Sequence, residues 1–130
     1  MAIRVKAITY SAADIIAMYN TPQVALAAPA SGYINNILGI THWMDYNSAA
    51  YTGASIIWYG KPAAFTPNVL YESTTLPATV NESIALSRNP AAATIYSTIE
   101  DLYVTTDAQA AAGNSPIIAY IVYEEKQIDP

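Results

Sequence analysis

The chain has 130 residues, with five Lys plus Arg against ten Asp plus Glu, one His, no Cys and a formal net charge of −5. That length fits one domain with a single core. The scarcity of cations excludes a surface that neutralises nucleic-acid phosphates, and the lack of thiols excludes disulfide frameworks, thiol catalysis and thiolate zinc sites.

The first local signal is Ser11-Ala12-Ala13-Asp14, which has the form of a capping box, with Tyr10 and Ile15 spaced to close a hydrophobic staple. It predicts a short helix that begins at Ser11 and ends near Tyr19 or Asn20, ahead of Pro22. Two turns are marginal in water, so Ile15, Ile16 and Met18 are expected to dock on something. Residues 1–22 are read as an N-terminal arm carrying this helix. Arg4 and Lys6 resemble the basic start of a leader, but Tyr10, Ser11 and Asp14 interrupt the apolar run that a leader needs.

Beyond Pro22 the pattern changes to short β-rich runs divided by turn residues. Gln23 to Ala27 reads as a strand, Pro29 to Gly32 as a turn, and Tyr33 to Tyr46 as a long strand or a bent pair, with Gly39 as a candidate bulge. Asn47 to Gly53 is a loop, Ala54 to Tyr59 an apolar strand, and Pro62 to Pro77 a loop with a short strand at Asn68 to Tyr71. Ala78 to Leu86 and Thr94 to Thr106 supply further strands, Ser97 to Asp101 having the alternative of a helical turn. Ala108 to Ser115 is a loop and Pro116 to Gln127 the last strand.

These runs, with no alternation of helix and strand, predict a mainly β fold: an antiparallel β-sandwich, jelly-roll-like, with a short N-terminal helix. In the last strand Ile117, Ala119, Ile121 and Tyr123 share one face, and Ile118, Tyr120 and Val122 share the other. Both faces are apolar, so the second is expected to be covered by a loop, the helix or another subunit. No apolar run approaches the roughly 18 residues of a membrane helix.

Chemistry-bearing constellations are sparse. His42 and Asp45 would face opposite sides of a strand, and no nucleophile elbow accompanies them. Glu100-Asp101 and Glu124-Glu125 are adjacent carboxylates, which splay apart on a strand. Gly53 to Lys61 has six residues between its glycines where a phosphate loop has four. Asn81-Glu82-Ser83 fits the glycosylation triplet, which carries meaning only in a secreted chain. No catalytic residue, metal ligand or cofactor site is assigned. The aromatic group Trp43, Tyr46, Tyr51, Trp58 and Tyr59 suits strand packing, or a platform for sugar or protein contact.

Charged residues make up 12% of the chain, against roughly 25% in an ordinary soluble domain. Eleven tyrosines accompany that deficit, and interface cores favour Tyr while shedding Lys and Glu. The composition therefore points to an assembly subunit with Tyr10, Ile15, Met18, Tyr46, Tyr51, Tyr120 and Tyr123 as candidate interface residues.

The order of several weak motifs resembles small virion proteins of tailed double-stranded DNA bacteriophages, the capsid decoration and head-fibre components. They are the Ser-capped helix, Asn20-Thr21-Pro22, the turn Ala28 to Gly32, Tyr46 through Tyr51, Ile57 to Gly60, and the last strand ending in Tyr123. The resemblance covers roughly Tyr10 to Ile128. It implies a non-enzymatic subunit on the capsid exterior, made in the bacterial cytoplasm. Its implied partners are copies of itself in a homotrimer and the major capsid protein or another virion protein. The rival readings are a carbohydrate-binding module or fibre knob that meets surface glycans through the aromatic platform, and a small β-sandwich hydrolase.

Overall fold

The computed structural model describes residues 2–60, 69–74, 76–88, 97–98 and 100–128. Ten strands and one helix follow in chain order among them: β1 Ala2–Tyr10, α1 Ala12–Ala17, β2 Gln23–Leu26, β3 Tyr33–Met44, β4 Ile57–Gly60, β5 Val69–Ser73, β6 Glu82–Ala85, β7 Ser87–Arg88, β8 Ser97–Thr98, β9 Leu102–Thr106 and β10 Ile117–Gln127. The expected loop and strand residues within 61–68 and 89–96 lie outside the described residues.

Two antiparallel sheets form a β-sandwich. One has the order β1-β10-β3-β6 with β8 also pairing with β3, and the other runs β2-β9-β4-β5-β7. The first strand pairs with the last and the second with the next to last, so the chain winds between sheets in jelly-roll order. Tyr59, Ile37, Ile57, Leu102, Ile117 and Ile121 fill the space between them. In β10 the odd residues from Ile117 to Ile121 are buried, as the alternation predicts.

The N-terminus corrects the sequence reading. Residues 2–10 are a full strand, paired with β10 without a break from Ala2↔Glu125 to Tyr10↔Ile117, where the sequence suggests an arm. Only the helix stands apart from the sheets. Ser11 caps it: its hydroxyl accepts from Asp14 N at 3.2 Å while Asp14 Oδ2 accepts from Ser11 N at 3.0 Å. Tyr10 and Ile15 are both buried beside that cap. Ser11→Ala is therefore expected to cost about 1 kcal/mol and to speed amide exchange across Ala12–Ala17; unchanged exchange there would refute the capping role.

Two smaller features refine the strands. Gly39 pairs with Val122 and Ile37 with Tyr123, which leaves Leu38 as the extra residue of a bulge beside the glycine that signalled it. Ser97 and Thr98 pair with Asn36 and Asn35, where a helical turn was the alternative.

The loops 47–53 and 107–115 are clamped to one another by side chains. Asn114 Oδ1 accepts from Ser48 N and Ala49 N, and its Nδ2 donates to Ser48 Oγ at 2.7 Å. The Tyr51 hydroxyl donates to Ser115 O at 2.6 Å, and Ser115 Oγ accepts from Asn47 N. Backbone bonds between Thr52 and Ala111 complete the clamp.

Candidate functional site

Register defines the outer face of the β1-β10-β3-β6 sheet, because directly paired residues point to the same side. One row holds Thr9, Ile118, Trp43 and Ser83, and the next Ala7, Tyr120, Thr41 and Ala85. Val5, Val122 and Gly39 form a third row, and Ile3 with Glu124 follows. Leu38 projects beside them from the bulge.

This face is apolar and open. Ile3 is 64% exposed, Val5 62%, Leu38 45% and Tyr120 40%. Ile118, Val122 and Trp43 are half-buried. Among the residues in these rows Glu124 is the one charge. The expectation that a loop or the helix covers this side of β10 is thus not met among the described residues, since α1 follows Tyr10 and its Ile15 turns into the core.

The pattern of the first half of β1 is inverted. A strand with one wet face ordinarily puts apolar residues inward and polar ones outward, yet here Ile3 and Val5 point out. Arg4 and Lys6 occupy the core-side positions opposite Tyr123 and Ile121. They can do so because β1 is the sheet edge, where long cationic stems cover the rim and carry their charge to solvent. Arg4 meets Glu125 there at 3.9 Å. Charges at such positions also deter edge-to-edge strand pairing, which leaves the face, and not the edge, as the surface open to a partner.

Most of the candidate interface residues named from sequence belong elsewhere. Tyr10, Ile15, Met18 and Tyr51 are buried in the chain's own core, because the staple and the loop clamp turn them inward; they offer no docking surface. Tyr46 and Tyr123 pack against that core and are partly buried. Tyr120 stands on the outer face. Sequence reasoning missed Ile3, Val5 and Leu38, whose signal was the apolar half of the alternation in Ala2–Tyr10 and the residue next to the bulge glycine.

The aromatic group does not form a platform. Tyr51 and Tyr59 are core residues. Trp43 lies on the outer face of one sheet, and Trp58 lies in β4 of the other sheet, on the side opposite Tyr59. His42 is buried, and its Nε2 lies 2.7 Å from the Tyr59 hydroxyl; Asp45 is exposed beyond the end of β3. No group of three or more His, Asp or Glu is placed to hold a metal ion among the described residues, and no helix there is long and apolar enough to cross a membrane.

Comparison with protein-family models, with curated proteins and with solved structures finds no match.

Proposed function

We propose that this chain is a non-enzymatic structural subunit of a tailed-bacteriophage virion, attached to the capsid exterior as a decoration protein and assembled with copies of itself. The observation that carries the assembly role is the inverted first half of β1, which presents Ile3 and Val5 beside Tyr120 and Leu38 on a nearly uncharged sheet face. An exposed apolar patch of this kind marks a surface that meets another molecule. The jelly-roll order and the low charge agree with that role, and the resemblance in motif order supplies the phage context and the trimer.

The sugar-binding alternative loses its main support because Trp43 and Trp58 belong to different sheets. A hydrolase built on His42 loses support because the one His is buried in the core.

Attachment of the assembled subunits to the capsid depends little on charge, since few cations are available to be screened. Density-banded virions are expected to contain this chain, reachable by antibody on intact particles, and to retain it between 50 mM and 500 mM salt. Its absence from banded particles would overturn the virion role. Release over that salt range with the fold intact would overturn the apolar mode of attachment.

A further inference from the structure

The outer face of the second sheet carries a group of side chains that the assembly role does not use. Trp58 of β4 points away from the core, with Thr105 of β9 opposite it on one side and Glu72 of β5 on the other. Ser87 of β7 stands opposite Glu72 in the same row. Tyr103 is the next residue of β9 on that face, diagonal to Trp58, and diagonal neighbours are within reach of aromatic side chains. Gly60 lies opposite Tyr103 and sets no side chain against its ring. The two rings and Glu72 are half-buried, and Ser87 is exposed.

The polar ends of this group are unspent. Thr105 commits its hydroxyl to Met18 O at 2.8 Å. By contrast, Trp58 Nε1, the Tyr103 hydroxyl, the Glu72 carboxylate and the Ser87 hydroxyl make no hydrogen bond or ion pair with any described residue. Two rings therefore share one surface with a fixed donor in the indole, a fixed acceptor in the carboxylate, and two hydroxyls that serve as either. No cationic residue belongs to these rows.

That combination selects its ligand by chemistry. A bare cation has no acceptor to offer the Trp58 N–H. An anion meets Glu72 in a chain whose net charge is −5, and a purely apolar partner would cover the carboxylate without replacing its water. A neutral pyranose satisfies every group at once, because one side of the ring is a sheet of C–H bonds while its hydroxyls both donate and accept.

We propose that the face formed by Trp58, Tyr103 and Glu72 is a binding site for a neutral oligosaccharide. One sugar ring lies on the indole and donates a hydroxyl proton to Glu72, a charge-assisted bond; the adjoining unit covers Tyr103. The five aromatic residues singled out from the sequence are dispersed over both sheets and the core, but this site needs only one of them, joined by a tyrosine that the sequence did not flag. It lies on the sheet opposite Ile3, Val5 and Tyr120, so a saccharide and a second protein surface can be held together, and the site does not depend on what covers the other face.

Calorimetry and tryptophan emission test the assignment on the full chain, titrated with cellohexaose, maltohexaose and mannohexaose, with hexalysine as the cationic control. At least one saccharide should bind saturably with a millimolar or tighter dissociation constant and shift the emission. The shift should survive Trp43→Phe, which leaves Trp58 as the one indole. Trp58→Ala should weaken binding by about tenfold or more. Glu72→Gln keeps the shape of the side chain and should weaken it roughly fivefold, which serves as the deciding variant if Trp58→Ala does not fold. No saturable binding of any of the three saccharides, binding untouched by Glu72→Gln, or a preference for hexalysine would overturn the proposal.

Discussion

Gly113→Ala is expected to destabilise the chain by about 3 kcal/mol. A Cβ at this position would fall on Cγ, Cδ1 and Cε1 of Tyr51, so one of the two residues must move. Neither can do so cheaply. Tyr51 is buried, and its hydroxyl is held by Ser115 O, while the Gly113 backbone is fixed by its bond to Ala111 O and by Ala112, whose φ of 60° already lies in the left-handed region. Overpacking of a tight site typically costs 1–3 kcal/mol and occasionally more. Urea unfolding should show a lower midpoint with an unchanged slope. In the double variant with Tyr51→Leu the losses should fall short of additive, since the second change removes the obstructing ring. A shift below about 1 kcal/mol in the single variant would mean that the loop clamp is not tight.

Tyr59→Phe is expected to cost about 2–4 kcal/mol although it deletes a single oxygen. That oxygen is the shared partner of the Tyr10 hydroxyl and His42 Nε2, and both residues are buried away from water. A buried polar group left without a partner costs roughly 1–3 kcal/mol. Tyr10→Phe should cost less, about 1 kcal/mol, because Tyr59 keeps its bond to His42. The same burial raises both phenols: Tyr10 to about 12, against the lowering effect of its bond to Tyr59 and with Asp14 adding, and Tyr59 well above its ordinary value, with Tyr10 adding to it. Equal losses for the two Phe variants would refute the central position of Tyr59.

Much of the fold was legible because its signals are local. The Ser11 cap, the alternation of β10, the bulge at Gly39 and the turn before Tyr33 each need only a few neighbouring residues to be read, and the jelly-roll character followed from many short strands without intervening helices. β1 was missed for a physical reason. Its charged residues Arg4 and Lys6 take core-side positions while Ile3 and Val5 point outward, so the first half of Ala2–Tyr10 carries the right period with the wrong sign, and only Ile8 and Tyr10 keep the usual sense.

The candidate interface was less legible. Tyrosine count signals contact with something, but composition cannot distinguish a ring buried in its own core from one offered to a partner. Tyr10 and Tyr51 went inward because their hydroxyls found Tyr59 and Ser115 there. Tyr120 stayed out because β10 alternates and Tyr120 falls on its even side. Ile3 and Val5 become meaningful only once the pairing of β1 with β10 puts them beside Tyr120 and Val122.

Self-association through the outer sheet face is tested most directly by multi-angle light scattering of the purified chain at micromolar concentration, beside a Val5→Lys/Tyr120→Lys variant. Exposed positions tolerate such changes with little loss of fold, so the variant should unfold cooperatively while its assembly is weakened. For a chain of 13.9 kDa the wild type should run as a closed oligomer, a trimer of about three times that mass by the phage resemblance, with the variant shifted to monomer. A wild type that stays a folded monomer, or an oligomer untouched by lysines at both positions, would contradict the role assigned to this face.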